Sequence, residues 1–119
     1  MIDDLVGFDI GLMAKEKGFN ELCYWSFHKN NVFPVLFPSN NEFDDYISAP
    51  TQSLLQKWLR EKYCIWIDVN TYSERGFTWF NVLVNRGDTS LDNWDSEFSS
   101  YKKALEKGLF KGLELIKNK

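Results

Sequence analysis

"CIWIDVNTYSERGFTWFNVLVN", residues 64–85, is the stretch on which the architecture turns. Up to Tyr63 the apolar residues recur every three or four positions; from Cys64 onward they alternate. A period of two belongs to a strand with two unlike faces. Ile65, Ile67, Val69 and Thr71 fall on one face, and Trp66, Asp68, Asn70 and Tyr72 on the other. After "SERG", Thr78, Phe80, Val82 and Val84 form one face of a second run, and Phe77, Trp79, Asn81 and Leu83 the opposite one. Gly76 can take the positive φ that a tight turn needs. The stretch predicts an antiparallel hairpin, apolar on one side and mixed aromatic and polar on the other.

Working outward, "APTQSLLQKWLREKY" (residues 49–63) predicts a helix. Pro50 suits its first turn, where an N–H is not needed, and Ser48 or Thr51 can cap it. Leu54, Leu55, Trp58 and Leu59 make its buried stripe, with Lys57, Arg60 and Glu61 opposite. Beyond the hairpin, "RGDTSLDNWDSEF" reads as a polar loop. "SSYKKALEKGLFKGLELIKNK" is a final helix capped by Ser99 or Ser100, with Tyr101, Leu105, Leu109, Leu113 and Ile116 as its apolar stripe. Ala104, Gly108 and Gly112 form a second row at spacing four. Each helical glycine costs about 1 kcal/mol against alanine, so the row calls for a very close neighbour: the sheet, the preceding helix, or a helix of a second subunit.

Upstream, a short helix from about Asp9 to Lys17 is closed by Gly18. "ELCYWSFHKNNVFPVLF" predicts another hairpin, with strands at Leu22–Phe27 and Val32–Phe37 around "HKNN". Pro34 cannot donate to a ladder and places the second of these strands at an edge or an interruption. "PSNNEFDDYIS" is a polar connection. The expected fold is therefore α+β, one domain over residues 1–119. It is a two-layer sandwich in the order α-ββ-α-ββ-α, with a mostly antiparallel four-stranded sheet of two hairpins and two long helices on one face.

Bulk properties narrow the function classes. The 119 residues carry a net charge of −3, and aromatic residues make up 17%. Residues 1–48 hold eight acids and three bases, a net of −5; residues 49–119 hold nine acids and eleven bases, a net of +2. A dedicated nucleic-acid binder usually has a stronger basic excess. No run approaches the roughly 18 apolar residues of a membrane span. The opening "MIDDLVGFDIGL" lacks a basic segment before its apolar residues, so no secretory signal is expected. Cys23 and Cys64 sit far apart among apolar residues and are expected as free, buried thiols of a cytoplasmic protein.

The sequence contains no phosphate-binding glycine loop, no paired CxxC, no HExxH and no nucleophile elbow. His28 stands alone beside a turn, and Cys64 has no evident base. Asp88, Asp92, Asp95 and Glu97 share a stretch without calcium-loop spacing, and Asp44 and Asp45 form a like-charge pair. The chain is accordingly expected to be non-enzymatic, with no catalytic residue, cofactor or metal ligand. Two surfaces stand out. One is the outer hairpin face with Trp66, Tyr72, Trp79 and Leu83, which residues 1–18 could cover, a protein partner or second copy could dock on, or bases could stack against. The Ala104, Gly108 and Gly112 row is a further candidate contact for a partner helix. The other surface is a set of cations, Lys57, Arg60, Lys103, Lys107 and Lys111, joined by Lys62 and Lys102, that could contact phosphates. An unidentified protein partner or a homodimer is expected first, nucleic acid second, and a membrane not at all.

"APTQSLLQKWLREKY", the I-x-I-x-V pattern that follows it and "SYKKALEKGLFKGLELI" together resemble a group of small proteins encoded in bacteriophage, prophage and mobile-element regions of Bacteroides-type gut bacteria. The likeness spans residues 49–116. In that group the last helix usually reads like "SYEEALEKGL"; Lys102 and Lys103 stand here where acids are usual. The resemblance implies a mobile-element accessory protein in the cytoplasm. It implies no activity, cofactor or site residue.

Overall fold

The computed structural model describes residues 4–21, 23–28, 31–39, 47–86 and 92–116. Its elements run α1 (Phe8–Glu16), β1 (Cys23–His28), β2 (Asn31–Ser39), β3 (Ile47–Ser48), α2 (Gln52–Tyr63), β4 (Ile65–Glu74), β5 (Phe77–Arg86), β6 (Asp92–Phe98) and α3 (Tyr101–Glu114). The chain is α+β, and each expected hairpin has gained a third strand. The imidazole of His28, the turn residues Lys29 and Asn30, Asp44, Asp45, the Tyr72 ring, Asp88 and the carboxylates of Asp92, Asp95 and Glu97 lie outside the described residues.

The single four-stranded sheet is corrected to two antiparallel sheets of three strands, ordered β2-β1-β3 and β4-β5-β6. The inner strand of each sheet is the reason. β1 gives its second edge to β3, through Ser26 opposite Ser48 and Phe27 opposite Ile47. β5 gives its second edge to β6, through Val84 opposite Asn93 and Leu83 opposite Trp94. Both added strands come from segments read as loops. An edge strand takes its backbone bonds from a neighbour and needs few apolar side chains of its own. Pro34 lies on β2, an edge of its sheet, opposite Trp25 and beside a register shift.

The β4–β5 ladder is unbroken from Ile65 opposite Arg86 to Glu74 opposite Phe77. Arg75 and Gly76 turn it with φ of 53° and 83°. Two successive positive φ values match the twist of the flanking strands. Thr51 Oγ1 accepts from the Leu54 amide at 3.1 Å and Ser100 Oγ from the Lys103 amide at 3.1 Å, capping α2 and α3. A single left-handed residue, Cys64 at φ 56°, converts α2 into β4. The helix therefore folds straight back over the strand that follows it, and Gln56 Nε2 donates to the Ile67 carbonyl at 2.6 Å.

Both long helices lie on the Ile67 and Val82 face of the second sheet. Leu55, Leu59, Ile65, Val82, Val84, Leu105, Leu109 and Leu113 are buried there. The glycine row of α3 has its neighbour within the chain. A Cβ on Gly108 would stand 2.6 Å from Ile67 Cγ2 and 2.6 Å from Val82 Cγ2; one on Gly112 would stand 3.2 Å from the Cδ1 atoms of Ile67 and Leu59. Ala104, Gly108 and Gly112 are buried, so the proposal of a partner helix on this row is withdrawn: the sheet fills the space.

Helix α1 joins the two halves. Val6, Ile10 and Ala14 enter the main core, while Phe8 meets Phe27 edge-on at 5.5 Å within a smaller cluster. Its first turn has no side-chain cap of its own. Glu106 of α3 supplies the carboxylate instead: the Gly7 amide donates to Oε2 at 3.2 Å, and Gln52 Nε2 donates to Oε1 at 3.0 Å. A carboxylate at a helix N-terminus also meets the positive end of the helix dipole. Lys102 Nζ donates to the Leu5 carbonyl at 2.9 Å, and at the far end Lys17 Nζ donates to the Ile116 carbonyl at 2.7 Å. These ties make α1 and α3 run in the same direction. The described part of residues 1–18 thus packs on the helices and the first sheet, not over the outer face of the second.

Gly108→Ala is expected to destabilise the protein by about 1–3 kcal/mol, since stiff β-branched neighbours must move for the added methyl. Gly112→Ala is expected to cost clearly less. Urea unfolding of the two variants checks the order. Glu106→Ala, which removes the acceptor of the Gly7 amide and one of the two acceptors of Gln52 Nε2, is expected to cost about 0.5–1.5 kcal/mol, with faster hydrogen exchange confined to α1.

Candidate interaction surface

Alternation along the unbroken ladder puts Trp66, Asp68 and Asn70 of β4 and Phe77, Trp79, Asn81 and Leu83 of β5 on the face turned away from the helices. Trp66 is 48% exposed and Phe77 65%. Phe77 and Trp79 stack with centroids 6.4 Å apart and planes at 26°. Trp79 and Leu83 are half-buried. Tyr72 pairs with Trp79 across the ladder, its ring lying outside the described residues. Phe77, not singled out from the sequence, is the most exposed apolar ring here; the alternation that placed Trp79 already placed it on this face.

Asn81 lies between Trp79 and Leu83 and is only 7% exposed. Its Oδ1 is buried and accepts no hydrogen bond from the described residues. The β5–β6 register shifts between Phe80 and Val82, at this residue. Bulges re-aim a side chain out of the regular pleat. A buried acceptor left unpaired costs about 1–3 kcal/mol.

The expected cations are dispersed. Lys103 and Lys107 are exposed on α3, on the opposite side of the sheet from the aromatics, and Lys111 is half-buried. Lys57 is exposed on α2. Arg60 is the exception. Its guanidinium carbon stands 5.4 Å from the centre of the Trp66 ring, a cation–π contact at the β4 edge. Lys107 sits 5.4 Å over Phe110.

The two thiols differ. Cys23 is buried, and burial pushes its pKa from an ordinary 9.0 up to about 11, which keeps it a thiol. Cys64 corrects the expectation of two buried cysteines. It is exposed, because its left-handed position at the end of α2 lies outside the packed stripe.

Among the described residues no helix is long and apolar enough to cross a membrane. No family model matches the chain, and neither a curated protein nor a solved structure matches it.

A thiol reagent should modify Cys64 in the folded protein and reach Cys23 only after unfolding. Because the unfolded chain loses the Cys23 proton first, the stability this group contributes is intact below pH 9.0 and declines as pH rises toward about 11. Cys23→Ala is expected to flatten that part of the stability–pH curve relative to the parent.

Proposed function

We propose that the chain is a non-catalytic module that associates with a second copy of itself through the outer face of β4–β5–β6. The observation that carries this reading is the exposure of Trp66 and Phe77 on the face turned away from the helices. Clustered exposed aromatics mark protein contacts more often than bare solvent surface. β4–β6 with α2 and α3 reads as a two-layer unit whose bare side is the docking face. The likeness of residues 49–116 to mobile-element proteins supplies the setting we propose, that of a cytoplasmic accessory protein.

The runner-up, nucleic-acid binding by helix lysines together with sheet aromatics, would need both on one surface. Lys103 and Lys107 lie across the sheet from Trp66 and Trp79, which weighs against it.

Light scattering across a concentration series is expected to show a mass of two 14.0 kDa copies. Trp66→Ser and Phe77→Ser are expected to return the mass to one copy while leaving the urea midpoint nearly unchanged. A strict monomer at millimolar concentration sinks the proposal. Salt-sensitive binding to oligonucleotides, weakening as phosphate contacts are screened, would install the runner-up in its place.

A further inference from the structure

A groove lies between the first turn of α1 and the N-terminal half of α3. It encloses about 750 Å³, and Phe8, Phe98 and Phe110 are among its walls. A smaller hollow of about 250 Å³ adjoins it, the two sharing Gly7, Lys102 and Glu106. Apolar clefts of roughly 300–1,000 Å³ with a few polar groups are the usual form of a small-molecule site.

The charges on this groove select among ligands. The two Glu106 oxygens are already occupied by Gly7 and Gln52, so this carboxylate is not free for a ligand cation. Lys103 and Lys107, one turn apart, both line the groove. Lys103 Nζ lies 3.3 Å from the neutral Ser99 hydroxyl, and Lys107 Nζ stands over the Phe110 ring. Neither contact cancels a charge. Asp9 and Glu106 are the counter-charges, two carboxylates against the three ammonium groups of Lys102, Lys103 and Lys107, which leaves the lining positive.

We propose that this groove binds a small amphipathic monocarboxylate, with its apolar body among Phe8, Phe98 and Phe110 and its carboxylate at Lys103 and Lys107. The site is separate from the outer sheet face and does not depend on it.

The test is calorimetry and amide chemical-shift mapping on the full chain, with octanoate and 4-phenylbutanoate as aliphatic and aromatic acids, and with octanol and octylammonium as neutral and cationic controls. At least one acid is expected to bind one per chain, moving amides of residues 7–10 and 103–110, with octanol at least tenfold weaker and octylammonium weaker still. The exposed double substitution Lys103→Gln/Lys107→Gln is expected to cut acid affinity about tenfold with an unchanged urea midpoint. The proposal is overturned by absence of acid binding, by equal binding of octanol, by affinity that survives the double substitution, or by shifts centred on Trp66 and Trp79 instead.

Discussion

The seat of α3 on the second sheet at Gly108 is the contact from which the other placements follow. With no side chain at this position, the helix backbone comes down onto Ile67 and Val82 until even a methyl group would not fit. Two interior glycines cost the helix about 2 kcal/mol in propensity. Burying one Val or Ile side chain returns about 1.5–3 kcal/mol, and Ile67, Val82 and Val84 are all buried under the helices. The close approach is therefore favourable as a whole. It also sets the rotation of α3 about its own axis. Once Gly108 faces the sheet, Leu105, Leu109 and Leu113 are fixed in the core, and Glu106 emerges where α1 begins.

That rotation explains how so short a helix as α1 is held. Nine residues form a marginal helix in water, and α1 has no side-chain cap of its own. It borrows a carboxylate from 99 positions away. Gln52 of α2 holds the other oxygen of the same carboxylate and also the Lys102 carbonyl. The amides that open α1, the first residue of α2 and the first turns of α3 thus share one polar junction. The small cluster of Leu5, Phe27 and Ala49 then attaches the first sheet. The described part of the N-terminal segment is tied down on the helix side and leaves Trp66 and Phe77 of the outer face exposed.

The parts of this arrangement legible in the sequence are those set by local periodicity. The β4–β5 hairpin, its two faces, α2 and α3 follow from alternation and three-to-four spacing, and their caps were narrowed to Ser48 or Thr51 and to Ser99 or Ser100, of which the structure uses Thr51 and Ser100. β3 and β6 were not legible. Two residues at Ile47–Ser48 and the polar run Asp92–Phe98 become strands because β1 and β5 present an open edge, which is a property of the neighbour. The glycine row announced a close approach but not its partner, since sheet and foreign helix make the same demand on a backbone. Cys64 was misplaced for a related reason. Its neighbours are apolar, but the thiol's exposure depends on one left-handed φ. Of the interaction surface, Trp66 and Trp79 were legible from the alternation. The burial of Asn81 was not, because it lies at a register shift against a strand the sequence did not show.

The two proposed surfaces lie on opposite sides of α3, and this bears on how they relate. Coupling between sites requires an element with two arrangements that the ligands bind unequally. Helix α3 reaches both sites: Lys103 and Lys107 line the groove, and Gly108 rests on the strands whose far side carries Trp66 and Trp79. Yet at Gly108 the helix is in contact with two branched side chains and has no room to move inward. Sliding one turn toward its C-terminus would bring the methyl of Ala104, the next residue of the same row, onto the same two residues. A helix held at this seat transmits little, so the proposed occupation of the groove and the proposed association through the sheet face are expected to be independent, their free energies adding as for distant sites without shared partners.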